Sequence, residues 1–246
     1  MTGRLIGVGT GPGDPELLTL KAVRAIQTAD VVAYFAKKGN SSNARAIVAD
    51  LITSQIEEPL GYPVTTEIDR RHDDYKSATA DFYAEAAARV AAHLDAGRTV
   101  AVLSEGDPLF YGSYMHIHVR LAHLYPTEVV AGITAMSGCW SQAGLPLVQG
   151  DDILAVLPGT LEQDDLTARL DNADGAVIMK VGRNLAKIRR AIAAAGRLDS
   201  AVYVERGTMA NGLSMLLADK PDDVAPYFAL ILLPGWRSKP LAEAAP

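Results

Sequence analysis

The chain has 246 residues, 49% hydrophobic and 21% charged, with 23 basic against 29 acidic side chains and a net charge of −6. That length buries a real core without staples, and the acidic balance argues against general affinity for nucleic acid or an anionic membrane surface. The one cysteine, Cys139, has no internal disulfide partner, residues 1–9 hold no signal-peptide core and no apolar run reaches transmembrane length, so a soluble, cytoplasmic protein is expected.

A strand at 3–8 runs into Gly7-Val8-Gly9-Thr10-Gly11-Pro12-Gly13-Asp14-Pro15. A helix over 15–28 is predicted next, with Asp14 as its cap, Pro15 at its first position and an apolar stripe of Leu18, Ala22, Ala25, Ile26 and Ala29. Then come a strand at 31–35, a helix near 43–52 and a short strand near 56–60. The stretch 61–74 lacks periodicity, contains Arg70-Arg71-His72, and reads as a loop. A long helix over 75–95 carries Ala78, Phe82, Ala86, Val90 and Leu94 at every fourth position. The buried strand at 99–104 delivers the chain to the polar turn Glu105-Gly106-Asp107-Pro108, at the strand end where open α/β sheets bind ligands. A helix near 110–124 ends at Tyr125-Pro126, because the residue before proline leaves the helical region.

Beyond that boundary the alternation restarts, with strands predicted at 128–131, 152–156, 176–180, 201–205 and 227–233, and a further one at 213–218. Helices are predicted near 134–143, 162–171 and 185–195. This is the pattern of an α/β protein. Two α/β domains, 1–125 and 126–238, are expected, with 239–246 as a disordered tail.

The opening loop invites a nucleotide reading, because its alternate glycines permit a sharp turn and a close approach to the main chain. A phosphate cradle aims backbone N–H groups at the anion, yet Pro12 and Pro15 each lack one. The spacing is neither G-x-G-x-x-G nor a P-loop. The ribose-binding carboxylate expected after the second strand is also missing, since that strand runs into Lys37-Lys38. Those lysines leave an NADP-linked oxidoreductase open as an alternative, beside a plain basic turn.

No metal site is expected. His116 and His118 stand two residues apart on a predicted helix and point to different sides. His116 and Arg120 share a helical face, as do Arg183 and Lys187; such pairs are either solvated or a patch for an acidic ligand. Cys139 reads as core packing, and Met179 closes an apolar run that reads as a buried strand.

In order along the chain, five motifs resemble those of the tetrapyrrole (corrin and porphyrin) methyltransferase family. They are Gly7-x-Gly-x-Gly-Pro-Gly-Asp with Leu17-Leu18-Thr19-Leu20, Glu105-Gly106-Asp107-Pro108-x-Phe-Tyr-Gly, Gly132-Ile-Thr-Ala-Met-Ser-Gly, Met179 in its strand, and Val204-Glu-Arg-Gly-Thr208. The resemblance runs from Leu5 to about Gly235. Stretches beginning at Pro59, Leu103 and Ala131 are similar to the branch that methylates C20 of precorrin-2 to precorrin-3A. Uroporphyrinogen III methyltransferases carry Gly-Gly-Asp-Pro where this chain has Glu105-Gly106-Asp107-Pro108.

The resemblance implies a homodimer of two α/β domains with S-adenosylmethionine in the cleft between them, leaving as S-adenosylhomocysteine. A ligand without phosphates would not need the donors that the prolines remove. By motif, the implied cofactor contacts are Pro12, Glu105, Gly106, Asp107, Phe110, Thr134, Ala135, Met179 and Gly207. The implied substrate, in metal-free or cobalt-containing form, is fringed with carboxylates. Arg70, Arg71, His72, His116, Arg120 and Arg183 are therefore candidate contacts, and Glu105 is the candidate base by location.

Overall fold

A computed structural model describes residues 2–37, 41–62 and 73–235. The chain forms two compact units, Met1–Ala135 and Met136–Pro246.

The first unit is a five-stranded sheet of β1 (Arg4–Gly9), β2 (Val31–Lys37), β3 (Ile56–Tyr62), β4 (Thr99–Ser104) and β5 (Thr127–Val130), in the order β3-β2-β4-β1-β5. All pairings are parallel, as helical crossovers require. Side chains alternate between the two faces of each strand. Ile6, Val8, Val32, Ala101 and Leu103 meet α1 (Leu20–Thr28) and α2 (Asn43–Ile47) on one face. Leu5, Val31, Ala33, Val100 and Val102 meet α3 (Asp73–Asp95) and α4 (Tyr114–Leu121) on the other. Burial on both faces explains why β1 and β4 read as nearly unbroken apolar runs.

Four expectations shift. The helix predicted over 15–28 is a 3-10 turn at Pro15–Leu17 followed by extended Leu18 and then α1, because the Thr19 hydroxyl caps α1 by accepting from Ala22 N–H at 3.0 Å. Asp14 caps the 3-10 turn instead, accepting from Glu16 N–H at 2.9 Å. The helix predicted near 110–124 begins only at Tyr114, since Tyr111 adopts φ +56°, which an α-helix does not accommodate. The strand predicted at 128–131 is β5, and its pairing with β1 carries the first unit past the expected division at 125. Residues 239–246 lie outside the described residues.

The second unit opens with α5 (Ala135–Gln142). It contains β6 (Leu154–Pro158), α6 (Gln163–Asp171), β7 (Gly175–Met179), α7 (Leu185–Ala194), β8 (Val202–Glu205), β9 (Leu213–Leu216) and β10 (Ala229–Leu233). Its sheet order is β6-β7-β10-β8-β9, with α6 and α7 packed on one face. Only β6 and β7 pair in parallel; β10 runs antiparallel to both β7 and β8, and β9 antiparallel to β8. Between β8 and β10 no α-helix crosses over, so the chain returns in the opposite sense.

Arg197 anchors one end of this sheet. It is only 3% exposed, and its guanidinium donates to the carbonyls of Leu170, Ala173, Asp174 and Pro234. These acceptors include a carbonyl in the last turn of α6 and those leading into β7 and out of β10, so one side chain closes three segments. Arg197→Met is expected to lower stability by about 2–4 kcal/mol, read from urea unfolding, because the carbonyls lose their donor while the volume is kept.

Candidate active site

The C-terminal ends of β1, β4 and β5 bring three loops together. β1 leaves through α1 toward β2, whereas its neighbour β4 leaves through α4 toward β5 on the opposite side. That reversal between adjacent strands makes this a topological switch point, the place where open α/β sheets bind ligands.

Main chain fastens to main chain there. Gly11 and Gly106 form an antiparallel bridge, with Gly106 N–H donating to the Gly11 carbonyl at 2.8 Å. Thr10 N–H donates to the Ser104 carbonyl at 2.9 Å. A Cβ on Gly132 would stand 2.1 Å from the Gly106 carbonyl oxygen, and one on Gly9 would stand 2.6 Å from the Gly132 backbone. Asp107 closes the set: one carboxylate oxygen accepts from Leu109 N–H at 2.9 Å and the other from Gly132 N–H at 3.1 Å. Part of the room expected for a ligand is thus occupied by the protein. Gly7, for its part, is overlain by the buried ring of Tyr114.

This junction assembles the predicted site residues of the first unit. Pro12 follows the bridging Gly11, while Thr134 and Ala135 lie against Gly106, 3.6–3.7 Å from where its Cβ would be. Pro12, Phe110, Thr134 and Ala135 are all half-buried, and Phe110 meets Tyr111 edge to face at 4.9 Å. Glu105 reaches the start of α2, where it accepts from the Asn43 side chain and the Ala44 N–H. The residue is exposed as a whole, yet protein atoms crowd its carboxyl closely enough for desolvation to raise its pKa over the opposing effect of those bonds.

In the second unit, the ends of β7 and β8 lie at one edge of their sheet, either side of the start of β10. Half-buried Met179 ends β7, and its carbonyl accepts from Gly159 N–H at 2.7 Å. Arg183 is exposed in the 3-10 turn Gly182–Asn184, ahead of α7 rather than on a helix with Lys187. Gly207 is buried against Cys139, leaving no space for a side chain, and Thr208 N–H donates to the Gln142 amide oxygen. Burial pushes the Cys139 thiol up to about 12, in keeping with core packing.

Four non-glycine residues have positive φ among the described residues: Tyr111, Lys180, Arg206 and Thr208. Each adjoins a predicted cofactor residue. Tyr111 follows Phe110, Lys180 follows Met179, and Arg206 and Thr208 flank Gly207. Such conformations cost on the order of 1–3 kcal/mol each and gather at ligand sites.

Among the proposed substrate contacts, His116 stacks on Tyr83 with ring centroids 3.8 Å apart. Desolvation, and then the nearby Arg120 charge, lower its pKa and favour neutral imidazole. Arg120 donates to the His116 carbonyl at 2.8 Å on the same helix. Arg70, Arg71, His72 and Lys38 lie outside the described residues; Lys37 is exposed at the end of β2. Asn43 beside Glu105 and the Tyr83 hydroxyl had no sequence signal, and Tyr62 and Ser113 were marked only as members of the resembling stretches that begin at Pro59 and Leu103.

Two α/β units, with a glycine-proline loop bridged to an acidic bend, belong with the match of residues 4–215 to the Tetrapyrrole (Corrin/Porphyrin) Methylases: the chain is a member of that family. It is 68% identical to a precorrin-2 C(20)-methyltransferase of Sinorhizobium sp., over 97% of this chain and 98% of the relative. It is 29% identical to a cobalt-precorrin-2 C(20)-methyltransferase of Salmonella typhimurium, over 95% and 97% respectively. Among solved structures, a uroporphyrin-III C-methyltransferase from Thermus thermophilus, complexed with S-adenosylhomocysteine, superposes with TM-score 0.63 at 26% identity, covering 94% of this chain and 97% of that one.

Gly132→Ala is expected to lower stability by about 3 kcal/mol in urea unfolding, since a carbonyl oxygen blocks the new methyl. Gly61→Ala, with nothing within 4 Å of its Cβ, serves as control and changes stability by less than about 1 kcal/mol. Glu105→Gln tests the electrostatics. A carboxyl whose folded pKa lies above its unfolded value binds its proton more tightly when folded, so it weakens folding as pH rises through the two values. The variant should therefore melt higher than wild type at pH 8, with the gap closing toward pH 4 in parallel thermal scans.

Proposed function

We propose that this chain is an S-adenosylmethionine-dependent methyltransferase that converts precorrin-2 to precorrin-3A by methylating C20, in cobalamin biosynthesis. The observation that carries this reading is the 68% identity to a precorrin-2 C(20)-methyltransferase along both chains. The donor chemistry of the first loop agrees with it. The Asp14 carboxylate and the Thr19 hydroxyl already take N–H groups at the start of two helical turns, and Pro12 and Pro15 offer none. Such a loop suits a cationic sulfonium better than a diphosphate.

When bound, S-adenosylmethionine supplies a methyl group on a good leaving group, so no Lewis acid is required of the protein. The chain's task is to hold the nucleophilic carbon in line with that methyl at roughly 3–3.5 Å and to keep water away. We assign adenosyl-group binding to Pro12, Glu105, Gly106, Asp107, Phe110, Thr134 and Ala135, with Met179 and Gly207 as further contacts. Forming the C20–CH3 bond leaves C20 with a proton to lose. Glu105, whose raised pKa makes it a stronger base than an ordinary carboxylate, is our candidate acceptor. His116, Arg120 and Arg183, with Arg70, Arg71 and His72, are the proposed partners of the substrate carboxylates. We further propose that the protein acts in the cytoplasm as a homodimer.

The deciding measurement pairs ligand binding with turnover. S-adenosylhomocysteine should raise the melting temperature while NADPH does not, and metal-free precorrin-2 should be methylated faster than its cobalt-containing form. Stabilisation by NADPH alone would overturn the reading in favour of an oxidoreductase. A preference for the cobalt-containing substrate would move the enzyme to the other branch of the pathway. Glu105→Gln should lose about a hundredfold in kcat if the carboxylate accepts the proton, and S-adenosylhomocysteine titrated in parallel separates that loss from any loss of cofactor contact.

A further inference from the structure

The C-terminal edge of the first sheet has a second half. The loops described above stand over β4, β1 and β5; beside them, over β2 and β3, lies a compact group built from Phe35, Tyr62, Phe82, Tyr83, Ser113 and His116. β3 is two strand spacings from β4, about 10 Å. Ser113 ends the loop that begins at Glu105, so the same segment serves both halves.

Within the group, the Tyr83 hydroxyl is the loosely bonded member. Tyr62, Tyr83 and Ser113 meet pairwise, and the Tyr62–Ser113 contact is the tight one. Both contacts of the Tyr83 hydroxyl are 3.2 Å, beyond the usual range for O–H···O bonds. A ligand anion would draw the Tyr83 proton outward more strongly than either neutral neighbour. Tyr83 is itself only 6% exposed and wedged among Phe35, Tyr62 and Phe82, so its hydroxyl is held in place beforehand.

His116 completes the arrangement. It lies flat on the Tyr83 ring with its imidazole exposed, and neither ring nitrogen has a hydrogen-bond partner among the described residues. Arg120 stands one turn further along the same helix. An O–H donor fixed by packing, an open imidazole edge and a nearby cation form a set suited to a carboxylate.

We infer that the Tyr83 hydroxyl, set by Tyr62 and Ser113 and flanked by His116, is a subsite that binds one carboxylate side chain of the tetrapyrrole. This rests on the methyltransferase reading above. It adds to that reading a neutral-donor contact, distinct from the arginine contacts, and assigns it to substrate affinity alone.

The test compares Tyr83→Phe and Ser113→Ala with wild type in steady-state methylation of precorrin-2, with S-adenosylhomocysteine titrated by calorimetry. Tyr125→Phe is the control, as its hydroxyl bonds to Asp95 away from the group. Tyr83→Phe should raise KM for the tetrapyrrole roughly tenfold, and Ser113→Ala should raise it in the same direction. Both should leave kcat and S-adenosylhomocysteine affinity within about twofold, and the control should leave all three in place. An unchanged tetrapyrrole KM in both folded variants overturns the subsite, even if they melt lower, because that result marks the hydroxyls as structural. A fall in kcat or cofactor affinity with KM unchanged overturns it too. Should wild type itself fail to methylate precorrin-2, the parent reading falls and the subsite with it, an outcome separate from the variant results.

Discussion

Backbone touching backbone is the constraint on which the first unit's candidate site depends. At the ends of β1, β4 and β5, two loops meet through the Gly11–Gly106 bridge, and a third enters where Gly132 faces the Gly106 carbonyl. Two side chains assist these approaches: the Asp107 carboxylate accepts an N–H from each of two loops, and the buried Thr10 hydroxyl donates to the Ser104 carbonyl. Atoms placed this way have almost no rotamer freedom, so the junction between oppositely departing strands is preformed. A site that positions reactants gains from that rigidity, because misplacement by an ångström is costly in rate.

The second unit uses a different device at the corresponding strand ends. There, Lys180, Arg206 and Thr208 are held with positive φ beside Met179 and Gly207. The surroundings hold these conformations in place: the Asn184 side chain donates to the Lys180 carbonyl, and Thr208 N–H donates to Gln142. Strain maintained by hydrogen bonds turns the main chain out of the regular strand direction at both ends. Whether a turn is relaxed around glycine or strained around lysine, each unit departs from regular geometry where its predicted ligand residues lie.

Much of this was legible in the chain because the governing signals are local. Short apolar runs and fourth-residue stripes located the strands and the long α3, whose Phe82, Ala86, Val90 and Leu94 do face the core. The motif glycines marked the converging loops, although for Gly7, Gly9, Gly132 and Gly207 the neighbour requiring space is the protein itself. What escaped was set by partners remote in sequence. β5 looked like the start of a second domain because nothing nearby reveals its pairing with β1, and β10 gives no local sign of its antiparallel sense. The Tyr62, Tyr83 and Ser113 hydroxyls stand 21 to 51 residues apart, and each residue type alone is unremarkable. Tyr111 delays α4 through a backbone angle that no residue type announces.

Arg197 has a consequence for how the second unit responds to solution conditions. Guanidinium keeps its charge throughout the accessible acid and alkaline range, and amide oxygens do not titrate. Four such acceptors therefore make a rivet that neither protonation nor added electrolyte loosens directly, unlike the exposed ion pairs joining Arg4 and Lys21 to Glu128 on the first unit. Acid and salt therefore act on the second unit through its outer ion pairs, Arg189–Asp223 and Lys220–Asp222, while this rim stays shut.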